Sequence, residues 1–157
     1  SRLGDGTFIP LHAPARVSST LVRDELMKDE SVQDAVKLMN RIDVALVGIG
    51  YPNEHSAIKA TGYYKENEIE SLISRKAAGE LCMQFYDMEG HTEPYVSDNA
   101  VIGMDIQRLR KVPCSVGIAG GREKLAAIQG AINGKYINVL ITDTECARAL
   151  LSDEEEE

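Results

Sequence analysis

The sequence predicts an α/β fold in which helices flank a mostly parallel sheet, and three observations predict it. The apolar runs, such as Val-Ala-Leu-Val-Gly-Ile between Asp43 and Gly50, are continuous rather than alternating, as suits strands covered on both faces. Segments with apolar residues at i, i+3 and i+4 separate those runs. Strand and helix alternate with short connections, and no internal period of about 20 to 50 residues appears.

Phe8 to Leu11, closed by Pro10 and Pro14, is the first expected strand. Ser18-Ser19-Thr20 then offers N-cap hydroxyls to a helix through Met27. Ser31-x-x-Asp34 resembles a capping box before the apolar stripe Val32, Ala35, Val36 and Met39, which predicts a second helix packed on the sheet. The strand from Asp43 ends at Gly48-Ile49-Gly50 in a tight turn. Ile69, Leu72 and Ile73 mark a helix over Glu66 to Ser74, and Leu81 to Tyr86 is expected as a single strand. Asp87 to Gly90 has turn composition, and Ala100 to Gly103 suits a short partner or edge strand.

Asp105 can cap a short helix to Arg110, which Pro113 ends. Cys114 to Ala119 reads as a strand running into Gly120-Gly121, with a helix directly after the glycines. Leu125, Ile128 and Ile132 define that helix, and Gly134 falls where a C-cap belongs. Tyr136 to Ile141 is the last strand, and Thr142-x-x-Glu145 is expected to cap the last helix. The pattern enters midway, as though earlier strands of a doubly wound sheet preceded it, so an incomplete domain is expected.

A length of 157 residues suits one α/β domain, expected over residues 1–151, with an acidic solvated tail over 152–157. The net charge is −8, but residues 153–157 supply five of the 25 acids, and the remaining 20 against 17 bases leave −3. With no Lys/Arg stripe, such a body cannot neutralise DNA phosphates by itself. Neither a signal peptide nor a membrane-spanning run is visible, which implies a cytoplasmic protein without a membrane partner. Cys82, Cys114 and Cys146 are isolated, as are His12, His55 and His91. No disulfide framework, metal site or cofactor is expected.

Gly48-Ile49-Gly50 invites a dinucleotide-binding reading, but the third glycine of that motif would stand at Asn53, and Pro52 disrupts the turn. The segment from Gly117 to Lys124 lacks the G-K-[ST] of a phosphate-cradling loop. Gly120-Gly121-x-x-Lys124 is more informative. Glycines at a strand's end let the backbone approach a ligand, free N–H groups favour an anion, and Lys124 lies one turn further on. A bare glycine turn with an exposed lysine accounts for the same spacing. Glu80, beside Gly79, can accept sugar hydroxyls or simply be a loop acid. Asp87, Glu89, His91 and Glu93 lack the spacing of a calcium loop and read as an exposed turn.

Four segments taken together are more specific than any one alone. They are Asp43 to Gly50, Gly79 to Gly90, Val101 to Pro113, and Ala119-Gly-Gly-Arg-Glu-Lys124 with Asn138-Val-Leu-Ile-Thr-Asp143. In order, from about Phe8 to Leu151, they resemble the sugar-binding domain of SorC/DeoR-type bacterial transcriptional regulators. The resemblance implies a Rossmann-like fold similar to that of phosphosugar isomerases and deaminases, here its C-terminal part. It implies a phosphorylated sugar as effector and a homo-oligomer, dimer or tetramer. Operator DNA would be bound only through a helix-turn-helix domain that this chain does not contain.

Neither that domain nor the family's early glycine/threonine phosphate loop is seen. By the family pattern Glu80 would face sugar hydroxyls and Lys124 a phosphate, with Gly50, Gly120 and Gly121 lining the site and Lys59 a weaker basic candidate. The rival expectation is a phosphosugar enzyme. Glucosamine-6-phosphate deaminases place Asp-Gly-His one residue after Gly-Ile-Gly, where this chain has Pro52-Asn53-Glu54, with His55 one place late. Pro and Asn cannot transfer protons, so a binding module without catalysis is expected.

Overall fold

The computed structural model describes residues 4–53, 57–98 and 100–152. They form two compact units, Ser1–Ile42 with Ala100–Met104, and Asp43–Asn99 with Asp105–Glu157.

In the first unit, helix α1 (Thr20–Leu26) starts where its N-cap, Ser19, accepts the Val22 N–H, as the hydroxyl run predicted. Helix α2 (Glu30–Met39) starts earlier than expected. Asp29 is its N-cap and accepts from both the N–H and the hydroxyl of Ser31, so Ser31 lies inside the first turn. Val32 and Ala35 form its buried stripe. Phe8 to Leu11 is not a strand. Phe8 is 84% exposed, and the chain pairs only later, through an isolated antiparallel bridge between Arg16 and Val101. Proline at position 10 removes one ladder donor from that run.

The second unit is built on a parallel sheet with strand order β1 (Val44–Gly48), β4 (Cys114–Ile118), β5 (Val139–Ile141). Helices flank it, as the apolar runs predicted. Between β1 and β4 the chain forms α3 (Ala57–Ala60), α4 (Glu66–Ser74), an antiparallel hairpin of β2 (Gly79–Leu81) and β3 (Gln84–Tyr86), and α5 (Ile106–Leu109). Helix α6 (Leu125–Asn133) connects β4 to β5, and α7 (Thr144–Ser152) follows. Ser152 is therefore helical, and residues 153–157 lie outside the described residues.

One face of the sheet is the more deeply buried. Ala45, Ile49, Ser115, Gly117 and Ala119 are buried there, and the Ser115 hydroxyl donates to the Tyr136 carbonyl at 2.7 Å. On the other face Leu46 is 70%, Ile118 44% and Ile141 54% exposed. Val116, in register with Leu46 and on the same side of the sheet, is nevertheless buried. The expectation of burial on both faces thus holds at the centre of β4 and fails at Leu46, Ile118 and Ile141, because continuous apolar composition does not say what covers a strand.

A second core lies between α4 and the hairpin, formed by Ile58, Tyr64, Ile69, Leu72, Phe85 and Tyr95. Tyr64 meets Phe85 edge to face at 5.4 Å. The single strand expected over Leu81 to Tyr86 is instead folded back on itself at Cys82 and Met83. Both have positive φ, 52° and 60°, as a type I′ hairpin turn requires. Residues other than glycine, asparagine and aspartate rarely adopt this region, so no turn signal stands in the sequence.

Candidate functional site

The candidate site is assembled at the C-terminal ends of β1 and β4. The β1 chain continues through Ile49 to Gly50, which pairs with Glu80 of β2 by two backbone bonds. The Gly50 N–H donates to the Glu80 carbonyl at 3.0 Å, and the Glu80 N–H donates to the Gly50 carbonyl at 2.9 Å. A Cβ on Gly50 would lie 2.9 Å from Cγ and Cδ of Glu80 and nearer still to its Oε1. Only glycine leaves room for the carboxylate here.

Glu80 also braces the strained hairpin turn, since its Oε2 accepts the Met83 N–H at 2.9 Å, while Tyr64 donates its hydroxyl to the Met83 carbonyl at 3.2 Å. Burial raises the Glu80 pKa above the ordinary carboxylate value, and the Met83 N–H and the Lys124 charge oppose that rise. Burial, with the nearby Glu80 charge, also pushes the Cys82 thiol up to about 11, so it stays protonated at neutral pH.

The Gly120-Gly121 turn at the end of β4 does not lead straight into a helix. A 3-10 turn over Arg122–Lys124 intervenes, and Lys124 is the N-cap of α6. Gly121 has φ 100°, a conformation glycine adopts readily. Lys124 reaches back across the sheet end and donates its ammonium to the Ile49 carbonyl at 3.0 Å. That contact spends one of three ammonium donors and places the cation beside Gly50 and close enough to influence Glu80.

Of the residues expected at the site, Gly50, Glu80 and Lys124 come together. Lys59 instead forms an ion pair with Glu66 at 2.9 Å. The Gly121 N–H is engaged by the Asp143 carboxylate at 2.7 Å. Asp143 also replaces Thr142 as the cap of α7, accepting the Cys146 N–H at 2.9 Å. The two N–H groups hold its pKa below the ordinary value, the Cys146 bond contributing most. Asp143 gave no separate signal in the sequence, because a capping aspartate looks the same whether or not it also reaches a distant turn. Glu54 and His55, which catalysis would require, lie outside the described residues.

Asp87, Glu89 and His91 bring three ligand atoms within 4.8 Å of one another on an exposed turn. The His91 imidazole meets Asp87 at 3.2 Å, and Asp87 accepts the Glu89 and His91 N–H groups. These bonds account for the turn, as expected from its composition. Among the described residues no helix is long and apolar enough to cross a membrane.

Comparison with known proteins gives a consistent result. The family described as "Putative sugar-binding domain" matches residues 2–152. The sorbitol operon regulator of Klebsiella pneumoniae is 34% identical over 138 residues, covering 88% of this chain and 44% of that protein. The deoxyribonucleoside regulator of Bacillus subtilis is 32% identical over 146 residues, covering 93% of this chain and 46% of that protein. The crystal structure of the full-length sorbitol operon regulator SorC from Klebsiella pneumoniae superposes with a TM-score of 0.80 at 34% identity, covering 88% of this chain and 45% of that one. A DeoR family transcriptional regulator from Listeria monocytogenes gives 0.82 at 28% identity, covering 88% of this chain and 56% of that one. The chain spans about half the length of the curated relatives it matches.

Proposed function

Because the chain belongs to the sugar-binding domain family of SorC/DeoR-type transcriptional regulators, we propose that it is the effector-binding part of a bacterial sugar-operon regulator and takes a phosphorylated sugar. The observation that supports this reading is the pairing of opposite charges across one short stretch of backbone. Lys124 donates to the Ile49 carbonyl next to Gly50, and the Glu80 side chain lies against Gly50, where the Lys124 charge acts on it. An ammonium with donors to spare suits a phosphate, and a carboxylate is an acceptor for sugar hydroxyls.

The chemistry supplied is binding without turnover. Pro52 stands where the deaminase motif carries its Asp, the motif's His is replaced by Glu54, and the relatives are named as regulators. DNA contact belongs to a helix-turn-helix domain outside this chain, in a cytoplasmic homo-oligomer, dimer or tetramer. A body at −3, with no Lys/Arg stripe in its sequence, does not by itself neutralise DNA phosphates.

A thermal-shift screen of the full chain against phosphorylated sugars and their unphosphorylated counterparts tests the reading. Binding to the native state alone adds about 2.7 kcal/mol at a ligand concentration of a hundred times Kd. At least one phosphorylated sugar is expected to raise the midpoint, and its unphosphorylated counterpart to raise it less at equal concentration. A larger shift with the unphosphorylated member of every pair, or none from any sugar, would overturn the reading.

A further inference from the structure

Asp143 joins the glycine turn to the start of α7 through one carboxylate. Its Oδ1 accepts the Cys146 N–H at 2.9 Å and its Oδ2 accepts the Gly121 N–H at 2.7 Å. A Cβ on Gly120 would lie 2.8 Å from that same Oδ2, so the close approach depends on glycine at this position. The contacts continue from there. The Gly121 carbonyl accepts the Lys124 N–H at 3.0 Å, the Lys124 ammonium donates to the Ile49 carbonyl at 3.0 Å, and the next residue, Gly50, pairs with Glu80. Five short links therefore connect the first turn of α7 to both charged groups of the site.

The same carboxylate decides what the Gly121 amide can do. An amide at a glycine turn is an ordinary anion donor, but here an anion already occupies it. A ligand phosphate brought to that amide would lie within about 4 to 5 Å of the Asp143 carboxylate, where like charges repel. The phosphate is left to Lys124.

We propose that Asp143 is a positioning residue for the ligand site: it holds the turn that presents Lys124 and ties that turn to the N-terminus of α7, so that occupancy at Lys124 and order at the start of α7 are coupled. The coupling runs in both directions, since a ligand that tightens the Lys124 turn tightens the α7 cap by the same factor. This deepens the reading of Lys124 as the contact for a ligand's anionic group and rests on it.

The variant D143N separates the two bonds. Asparagine caps a helix about as well as aspartate, so its side-chain oxygen can keep the Cys146 N–H. Its amide then faces the Gly121 N–H donor to donor, and that bond is lost. Amide hydrogen exchange in the ligand-free full chain is expected to quicken about fivefold at Gly121 and Lys124 and to stay unchanged at Cys146. Unchanged exchange at Gly121 and Lys124, or equal acceleration at all three amides, overturns the proposal.

A second arm titrates inorganic phosphate and follows amide chemical shifts in wild type, D143N, K124A and the double variant. D143N is expected to weaken phosphate binding about fivefold with Lys124 present and to have no effect without it. Equal weakening in both backgrounds would show that Asp143 does not act through Lys124. Absence of any phosphate response in wild type would instead count against the phosphosugar reading, and the exchange arm would still decide the role of Asp143.

Discussion

Replacing Gly50 with alanine puts a methyl group where the Glu80 side chain already lies. The new Cβ would stand 2.9 Å from Glu80 Cγ and Cδ and closer to Oε1. The backbone cannot retreat, because Gly50 is held by bonds of 3.0 and 2.9 Å to the backbone of Glu80 itself. Glu80 must therefore rotate, and Oε2 leaves the Met83 N–H it accepts at 2.9 Å. The positive-φ turn at Cys82 and Met83 then loses a brace. Overpacking costs about 1 to 3 kcal/mol, and losing a bond to a charged acceptor about 1.5 to 3 kcal/mol. These are two descriptions of one displacement and do not add. A loss of about 2 kcal/mol is expected, lowering the melting midpoint by about 4 to 8 °C for a chain of this size. Urea unfolding of G50A, E80A and the double variant measures it as a cycle. With Glu80 truncated the methyl group has room, so G50A should then cost almost nothing. If it costs the same 2 kcal/mol or so in both backgrounds, the close approach of Gly50 and Glu80 is not what fixes this site.

The two carboxylates, Glu80 and Asp143, give further predictions. E80Q keeps an acceptor for the Met83 N–H and removes a charge that burial disfavours, so stability at neutral pH should hold or rise, while affinity for a phosphorylated sugar falls about fivefold by calorimetry. The pH profiles of the melting midpoint should differ in sign between the two carboxylates. Glu80, its pKa raised in the fold, favours the folded state when protonated, and that contribution is lost as pH rises from 4.5 through the raised value; E80Q should lack this decline. Asp143, its pKa lowered, contributes stability that is present above 3.8 and lost as pH falls through the lowered value; D143A should flatten that acid limb.

Local periodicity made much of this fold legible. Glu66–Ser74 forms a helix over the span its apolar spacing predicts, and Asp105 caps α5 as expected. The three parallel strands lie within the apolar runs that predicted them. What the sequence hides are features set by contacts between distant segments. The hairpin at Cys82 and Met83 is held by Glu80 and Tyr64 rather than by turn residues of its own. The more exposed sheet face is as apolar as the buried one. At the site, the spacing Gly120-Gly121-x-x-Lys124 suggested an anion contact on physical grounds, with a bare glycine turn as its alternative, whereas Gly50 and Glu80 gained a ligand role only through the family resemblance. Asp143 was invisible because its second bond spans 22 residues.

The central claim is that Lys124 receives the phosphate of a sugar whose hydroxyls face Glu80. Calorimetric titration of wild type and K124A with a phosphorylated sugar and with its unphosphorylated counterpart tests it most directly. Loss of a charged hydrogen-bond partner costs about 1.5 to 3 kcal/mol, so K124A should bind the phosphorylated sugar about 10- to 150-fold more weakly and change the affinity for the unphosphorylated one much less. An equal loss for both sugars would contradict the claim and make Lys124 a support for the Ile49 backbone instead of the phosphate contact.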